Sequence, residues 1–416
     1  MKVLSIFLQM ISVLFCLCHL FQLLYFMIGL FPHKQEEKKH LVLHRYAILI
    51  CARNEEKVIG DLLDNIHHQT YPQELLQPFV MADNCNDDTA MIALSHGAIV
   101  YSRHNELEIG KGYALEALLE HIHENHPQEY DGYFVFDADN ILKEDFIEKM
   151  NERYSEGFDL ITSYRNSKNF GCNWISAGSA LCFLKDCRFL NDPRDLLKSS
   201  CKITGTGFFF SEWICQEMQG WPYHLLTEDL EFTLDQVIKG HRIAYCPEAV
   251  IYDEQPVDLM QSCRQRIRWA KGYLQVFRKY ILRLMKGMFQ GSFCCVDLFC
   301  NCVATYILLF ASVLCRFLMI LLSISNRSLF LDIVHTAMSD MLKAYAFLCV
   351  MALVTTIAEW KQIRCSPVKK LAYVFSYPIF MFTYLPVSVI AFFSKPDWKP
   401  IRHEFRVKDM HMGHDY

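Results

Sequence analysis

The sequence has no excess of positive charge. It contains 41 lysine and arginine residues against 46 aspartate and glutamate residues, and its formal net charge is -5 at pH 7. A protein that binds nucleic acid usually presents a basic surface to the phosphates. The composition therefore argues against nucleic acid as a partner, and an anionic substrate has to meet a local basic cluster. One such cluster is present at Arg264, Arg266 and Arg268.

Two familiar cofactor motifs are also missing. No Cys-x-x-Cys pair is accompanied by a second pair or by suitably spaced histidines, which counts against a structural zinc site. No Gly-x-Gly-x-x-Gly follows the first predicted strand, which counts against a dinucleotide cofactor. The 18 cysteines lie partly inside apolar runs of this 416-residue chain. We therefore expect them to act as small apolar side chains that stay reduced.

Apolar residues, in contrast, make up 52% of the chain. Residues 3–31 form a run long enough for a spanning helix of roughly 20 residues, which favours a retained anchor over a cleaved signal peptide. Further spans are predicted at residues 295–323, 343–359 and 371–393. The lysine-rich flank at residues 33–39 predicts, by the positive-inside rule, that the following domain is cytosolic.

The course of the last apolar segment is open. A straight crossing places the tail outside the cell, although residues 395–406 are basic. Pro378 and Pro386 favour a broken segment that returns to the cytoplasm. The sequence thus predicts an integral protein of a bacterial plasma membrane with four regions. They are the anchor (1–32), a cytosolic domain ending in interfacial helices (33–285), a membrane region with about three apolar segments (286–394) and a basic tail (395–416).

The cytosolic domain alternates strand-like and helix-like patterns. Strands are predicted at residues 46–51, 79–83, 98–101, 132–137 and 160–162, and helices at residues 56–67, 110–123 and 144–154. This alternation predicts an α/β fold with a mostly parallel sheet. Ligands of such sheets bind beyond the carboxyl ends of the strands, where Asn54, Asp83, Asp137 and Asp139 are expected.

Two of these carboxylates follow a strand-like run without polar residues. The segment YFVFDADN at residues 133–140 contains Asp137 and Asp139, one residue apart. Acids at the end of a buried strand rarely serve solubility alone, and they suit a hard divalent cation that accompanies a diphosphate. A pair of turn carboxylates is the alternative interpretation.

A second acidic site lies at Thr227, Glu228 and Asp229. A pair of acids of this kind can serve as a base, which takes a proton from a reacting group. A threonine followed by acids is also a common helix N-terminus, and both interpretations can hold together.

The segment QRIRW at residues 265–269 follows. Its spacing places Gln265, Arg268 and Trp269 on neighbouring faces of one helical turn. Arg268 offers a bidentate contact to a pyrophosphate, and the ring of Trp269 can stack on a sugar. A basic interfacial helix with a tryptophan anchor is the alternative.

Taken in this order, the three motifs resemble the D-x-D, T/E-D and Q-x-x-R-W signature of the inverting, processive family 2 glycosyltransferases, which include cellulose, chitin, hyaluronan and poly-N-acetylglucosamine synthases. The resemblance implies a GT-A-like domain flanked by transmembrane helices. It also implies a Mg²⁺ or Mn²⁺ cofactor, with Asp139 as the metal ligand and Asp137 at the metal or the ribose. Asp229, accompanied by Glu228, resembles the catalytic base.

The resemblance extends to the substrate-binding residues. Its implied donor-binding residues are Asn54, Glu55, Asp83 (which resembles the acceptor of the uracil N3 hydrogen bond), Lys111, Asp137, Gln265 and Arg268. Its implied acceptor-binding residues are Gly205, Thr206, Gly207 and Trp269. Plain alternatives exist for three of these motifs: an Asx turn at Asp83, a solvated lysine at Lys111 and a simple turn at residues 204–208. Less firmly matched segments are residues 252–255, near the donor, and the tail residues Trp398, Arg402 and His403.

We therefore predict transfer from UDP-N-acetylglucosamine or UDP-glucose to a growing β-linked polysaccharide, with a partner subunit or a homodimer completing the polymer channel. The first alternative is a non-processive enzyme that adds one or a few sugars to a membrane lipid. A catalytically silent sugar-binding or assembly protein is a distant one, because the acidic and basic motif residues are intact. The sequence leaves the sugar and the linkage open.

Overall fold

The computed structural model describes residues 2–31, 42–127, 129–394, 403 and 405 of the chain. These residues form an α/β domain between two groups of apolar helices. Two helices precede the domain, α1 (Lys2–His19) and α2 (Gln22–Gly29). The apolar run predicted as one span is therefore broken after His19.

Within the described residues the domain contains one eight-stranded sheet. Its strands are β1 (Tyr46–Ala52), β2 (Leu76–Asp83), β3 (Ile99–Arg103), β4 (Gly132–Asp137), β5 (Ile141–Leu142), β6 (Leu160–Ser167), β7 (Phe208–Ser211) and β8 (Ile243–Asp253). Their order across the sheet is β3-β2-β1-β4-β7-β6-β8-β5. The pairs β1–β2, β1–β4, β2–β3 and β6–β8 are parallel, and β7 and β5 pair antiparallel to their neighbours. The prediction of a mostly parallel sheet is confirmed.

Helices cover both faces of this sheet. They are α3 (Ile59–His67), α4 (Thr89–Ser95), α5 (Lys111–Asn125), α6 (Phe146–Ser155), α7 (Trp174–Asp186), α8 (Asp192–Leu196), α9 (Glu212–Met218), α10 (Glu228–Lys239) and α11 (Leu259–Phe289). Strand β1 shows why the sequence reads as a continuous apolar run. Ala47 and Leu49 belong to the core on one face, Ile48 and Ile50 belong to the core on the other, and all four are fully buried. A strand covered on both faces needs apolar residues at every position.

The remaining helices are apolar. They are α12 (Phe293–Phe299), α13 (Thr305–Ser323), α14 (Arg327–Ala358), α15 (Pro367–Phe382) and α16 (Tyr384–Phe393). In the described part of the chain, four helical segments are long and apolar enough to cross a membrane: Lys2–His19, Phe293–Ser323, Arg327–Ala358 and Pro367–Phe393. The third segment is longer than the span predicted at residues 343–359. The division of the chain into four regions stays a prediction.

The break in the last apolar segment differs from the prediction. Helix α15 continues through Pro378, and the chain breaks at Thr383, before Pro386. A proline in a helix removes one backbone hydrogen bond, which neighbouring groups can compensate. Beyond the break, His403 and Phe405 contact the α/β domain. His403 and Phe405 therefore lie against the α/β domain, and the course of the tail relative to a membrane stays a prediction.

A buried ion pair joins the two groups of apolar helices to the domain. Arg194 of α8 donates from Nε and Nη2 to the two carboxylate oxygens of Asp297 in α12, over 2.7 and 2.9 Å. The hydroxyl of Tyr25 in α2 donates to the same carboxylate over 3.0 Å. All three side chains are buried. Removing one partner of such a group is costly, because the remaining charge stays buried without compensation.

Candidate active site

The site lies where β1, β2 and β4 end. Lys111, Asp83, Asp137 and Glu228 are close enough together that their charges all act on the buried thiol of Cys51, near the end of β1. Burial, the largest effect, raises the pKa of that thiol, so Cys51 is a packed apolar group. The structure thus brings predicted donor-binding and catalytic residues from four different elements to one edge of the sheet.

Asp83 and Asn54 form the part of the site nearest β2. Asp83 is buried, and its Oδ1 accepts a hydrogen bond from Nη1 of Arg103 over 2.9 Å. Asn54 has a left-handed backbone with φ 58°, and its Oδ1 accepts from the backbone N–H of Asn86 over 2.8 Å. The amide of Asn54 therefore fixes the loop that follows Asp83. Arg103 was not among the predicted site residues.

Lys111 links the D-x-D segment to the glycine loop. Its ammonium donates to Oδ1 of Asp137 and, over 2.7 Å, to the carbonyl of Gly205. It is also the first residue of α5, where free backbone N–H groups favour an anion. The expected phosphate-binding lysine and the first aspartate of the motif are thus in direct contact.

Asp139 lies deeper, in a ring of groups that sequence reasoning largely missed. Its Oδ2 accepts from the backbone N–H of Glu254 over 2.8 Å, and its own carbonyl accepts from Nζ of Lys168 over 2.6 Å. Burial opposes ionisation of Asp139, but the positive charges of His403 and Lys168 outweigh it and hold its pKa below the usual value. Asp139 is therefore an anion at neutral pH.

His403 comes to this ring from the end of the chain. Its Nδ1 is 3.0 Å from Oε1 of Glu55. Burial lowers the pKa of the imidazole, but Asp139 and Glu55 together raise it to about 10. Trp398 and Arg402, the other predicted tail residues, lie outside the described residues.

These donors fit a hard divalent cation. The Oδ1 of Asp139 accepts only a long contact of 3.5 Å from the amide of Asn140 in the described part of the chain. The side chain of Asp137 is 38% exposed. Carboxylate oxygens are ligands that suit Mn²⁺ or Mg²⁺.

Glu228 and Asp229 are the first two residues of α10. Burial and the charge of Asp229 raise the pKa of Glu228 to about 7. Burial also raises the pKa of Asp229, against the opposing effects of the Leu230 backbone N–H and the charge of Lys202. Among the described residues, the Thr227 side chain makes no capping hydrogen bond. The alternative interpretation, in which Thr227 caps the helix with its side chain, therefore does not describe this helix N-terminus.

The glycine loop holds the D-x-D segment and faces Asp229. The Thr206 hydroxyl accepts from the backbone N–H of Asp137 over 2.9 Å. Gly205 has φ 88°, and a Cβ there would lie 3.7 Å from Oδ2 of Asp229. Gly207 has φ 63°, and a Cβ there would meet the Ser163 hydroxyl at 2.5 Å. Glycine is required at both positions because of backbone conformation, and at Gly207 also because of space.

The three arginines of the predicted basic cluster do not act together. Arg268 lies among the carboxylates, where burial lowers its pKa against the charges of Glu228, Asp137 and Asp229. Arg266 points away and is buried beside α15, donating to the Thr383 hydroxyl over 2.5 Å. Arg264 is exposed. Successive residues of a helix point about 100° apart, which a list of neighbouring charges does not reveal.

Two other residues of the predicted motif lie on the same helix. Trp269 is half-buried, with its ring 6.2 Å from that of Phe183. Gln265 is half-buried one turn earlier. Helix α11 lies so close to α10 that a Cβ on Gly272 would meet the Thr227 side chain at 2.5 Å. This close approach fixes Arg268 against Glu228 and Asp229.

Arg165 is a further residue that the sequence did not single out. Its Nε donates to Asp253 over 2.7 Å, and Nη1 donates to the carbonyl of Thr204 in the glycine loop. It lies in β6, with Asp253 at the end of the neighbouring parallel strand β8. The prediction that residues 252–255 lie near the donor stays a prediction. The strand β6 is polar over much of its length, so a single arginine in it gave no signal.

Comparison with known proteins agrees with this geometry. Residues 44–272 match the family model described as "Glycosyltransferase like family 2". The probable glycosyltransferase YdaM of Bacillus subtilis is 24% identical over 271 residues, 61% of each chain. The β-monoglucosyldiacylglycerol synthase of Synechocystis is 22% identical over 56% of this chain and 48% of its own. The poly-β-1,6-N-acetyl-D-glucosamine synthase of Staphylococcus epidermidis is 21% identical over 57% and 56%. The matched region thus spans about half to three fifths of these relatives.

A solved structure supports the fold. The mannosyltransferase PcManGT of Pyrobaculum calidifontis, determined with GDP-Man and Mn²⁺, superposes with a TM-score of 0.58 at 14% sequence identity. The superposition covers 92% of this chain and 99% of that one. The GT-A-like sheet domain is therefore confirmed. Because the family model covers more than half of the sequence, the chain belongs to glycosyltransferase family 2.

Proposed function

We propose that the protein is an inverting glycosyltransferase, embedded by its apolar helices in a bacterial plasma membrane, that transfers a sugar from a UDP-sugar to an acceptor hydroxyl. The carboxylate pair Glu228–Asp229 carries this proposal. Two acids with raised pKa values lie at the start of one helix, beside the cations Lys111 and Arg268. Such a pairing of a potential base with groups for an anionic leaving group is what sugar transfer from a nucleotide requires.

Asp229 is the base in this mechanism. The acceptor oxygen attacks the anomeric carbon while the bond from that carbon to the UDP oxygen breaks, and the electron pair leaves with UDP. The hydroxyl proton passes to a carboxylate oxygen of Asp229. One displacement converts an α-linked donor into a β-glycoside. Burial raises the pKa of Asp229, which favours its role as a base, and the charge of Asp229 in turn raises the pKa of Glu228.

The donor lies along the edge of the sheet. The carboxylate of Asp83 accepts the N3 hydrogen of uracil, with Asn54 and Glu55 lining the nucleotide pocket. Lys111 and Arg268 contact the diphosphate. Lys111 already donates to Asp137 and to the glycine loop. Its contact with a phosphate therefore also fixes the loop that faces Asp229.

Asp139 and Asp137 would hold Mg²⁺ or Mn²⁺. When bound, the cation neutralises negative charge that develops on the leaving UDP. The Mn²⁺ in PcManGT supports this assignment. Lys168 and the Glu254 backbone N–H hold Asp139 in place for this role.

The relatives point to two acceptors, a polysaccharide and a lipid, and the donors UDP-N-acetylglucosamine and UDP-glucose fit both. The aromatic pair Trp269 and Phe183 favours a sugar at the acceptor side, because rings stack on sugar faces. Half-buried Lys202, Tyr273 and Tyr306 connect the region of Asp229 to the apolar helix α13 and favour a lipid. Release of UDP is common to both.

The test is UDP release by the full-length protein in detergent, with Mn²⁺, a panel of UDP-sugars and membrane lipid. Asp229→Asn keeps the shape of the side chain but removes the base, and should lower kcat by about 10²–10⁴-fold. Glu120→Gln, an exposed acid on α5, is the matched control and should behave as wild type. Undiminished UDP release by Asp229→Asn, or full activity in excess EDTA, would refute the proposal.

A further inference from the structure

Lys202 lies next to the proposed base but takes no part in the mechanism described above. Among the cations near Asp229, Lys202 has the largest effect on the pKa of that carboxyl, ahead of Lys111 and Arg165. It precedes the glycine loop by only a few residues. Lys111 reaches the loop from the donor side, through Gly205. We therefore assign Lys202 to the acceptor side, which is the side of Asp229 away from Lys111 and the proposed diphosphate.

The surroundings of Lys202 do not neutralise it fully. Its ammonium donates to the Tyr273 hydroxyl over 3.3 Å, and among the described residues it forms no ion pair. The nearby Lys185 and Asp186 pair with each other over 3.1 Å. Although burial lowers the pKa of Lys202, the charge of Asp186 raises it above the usual value. The side chain of Lys202 is thus a half-buried ammonium with unused donor capacity.

Lys202 is linked through two tyrosines to an apolar helix. Its ammonium donates to the Tyr273 hydroxyl, and the ring of Tyr273 lies 5.1 Å from that of Tyr306, the second residue of α13. Helix α13 belongs to the segment Phe293–Ser323, which is long and apolar enough to cross a membrane. Lys202 therefore lies between the proposed base and a candidate membrane segment.

We propose that Lys202 and Tyr273 bind the phosphate of an acceptor lipid whose free hydroxyl lies close to that phosphate, as in a phosphoglycerol headgroup. This inference rests on the proposed function and names its acceptor class. Because Lys202 and Asp229 are neighbours, one small headgroup can reach both. Its hydroxyl oxygen forms the new glycosidic bond, its proton goes to Asp229, and UDP leaves with the electron pair. The lipid phosphate is unchanged.

Lipid binding without turnover tests this inference separately from catalysis. Native mass spectrometry of the full-length protein in detergent compares bound phosphatidylglycerol with bound diacylglycerol. We expect wild type to prefer phosphatidylglycerol, and Lys202→Met to weaken that binding by about tenfold or more, the loss typical of a charge-assisted hydrogen bond. Lys202→Arg should retain most of the binding. Lys286→Met, which removes an exposed lysine from α11, is the matched control.

Turnover then shows whether the bound lipid is the acceptor. Lys202→Met should raise the KM for phosphatidylglycerol about tenfold, with the KM for the UDP-sugar unchanged. If Lys202→Met raised the KM for phosphatidylglycerol and the KM for diacylglycerol equally, the inference would be overturned. A raised KM for the UDP-sugar in this variant would overturn it too. Competition by inorganic phosphate at millimolar concentration would also overturn it, by showing that the site takes free phosphate. Failure of wild type to release UDP refutes the proposed function alone, because the binding comparison still decides on Lys202.

Discussion

The two sides of the Glu228–Asp229 pair differ in how their charges are matched. On the donor side almost every described charge has a partner: Lys111 with Asp137, Arg103 with Asp83, and Arg165 with Asp253. On the acceptor side, Lys202 has a tyrosine hydroxyl instead. The donor side is a network that already holds its geometry, whereas the acceptor side offers a cation to a ligand.

This difference indicates where specificity for each substrate is determined. Paired charges are positioned before the donor arrives, so little reorganisation is needed when the diphosphate binds. On the acceptor side, a single cation selects only for negative charge, and the aromatic rings beside it select only for a flat or apolar face. Many headgroups or sugars have one of these features. We therefore expect donor-side substitutions to have larger effects than acceptor-side ones, and the following predictions test that order.

The largest effect is expected at Asp139. Asp139→Asn removes the carboxylate that the cation needs and leaves the positive charges of Lys168 and His403 less compensated. We expect kcat/KM to fall by about 10²–10³-fold, in line with the several kcal/mol that metal catalysis supplies. Rates of UDP release over a Mn²⁺ titration measure this. Recovery of the wild-type rate at high Mn²⁺ would mean that Asp139 affects affinity only.

A smaller loss is expected at Arg268. Arg268→Lys keeps the charge but removes the planar pair of donors, so kcat/KM for the UDP-sugar should fall by about 10–10²-fold. Arg264→Lys, the exposed neighbour on the same helix, is the control and should leave the rate unchanged. Arg266→Lys should instead lower thermal stability, because the guanidinium is buried against Thr383. Equal kinetic losses at all three arginines would contradict the separation of their roles.

The pH dependence should show the coupling of the two carboxylates. Burial raises the pKa of Asp229, and this base must be ionised to accept a proton. The rate should therefore fall about tenfold per pH unit once the pH drops below that raised pKa. Glu228→Gln removes one negative charge, which lowers the pKa of Asp229 and shifts this acidic limb to lower pH. Initial rates between about pH 5 and 9 check both curves. An unshifted limb in the variant would mean that the acids titrate independently.

The smallest effect is expected at the contact between α10 and α11. Gly272→Ala places a methyl group against Thr227, which should cost about 1–3 kcal/mol of stability and move Arg268 away from the carboxylates. Thr227→Ala removes the atoms that clash. Thermal unfolding and UDP release of both single variants and the double variant form a cycle. If the double variant loses as much stability and activity as the two single variants added together, the contact between residues 227 and 272 is not the cause of the loss.

The fold was predictable because its signals are local. Each of the five predicted strands coincides with part of an observed strand, and the apolar run before Asp137 is apolar because both faces of the sheet are covered. Strands β5, β7 and β8 are not among these five. The three aromatic residues before Ser211 belong to a short antiparallel strand whose pairing depends on distant partners. Such pairing is set by tertiary contacts and leaves little trace in a short segment.

The site was predictable where a motif carries its own geometry. Asp137 and Lys111 were expected near one diphosphate, and they are in contact. The predicted residue roles remain predictions. Lys202 and Arg165 were missed because each is a single charge without a spacing pattern. Arg266 was misplaced because a sequence gives the order of side chains along a helix but does not show which partner each one faces.

The contact between His403 and Glu55 also sets an order in time. Glu55 emerges from the ribosome after the first two apolar helices, whereas His403 emerges only after every described apolar helix. A chain that is still being synthesised therefore lacks one of the groups around Asp139. The contact between His403 and Glu55 can form only after all of these helices have been made.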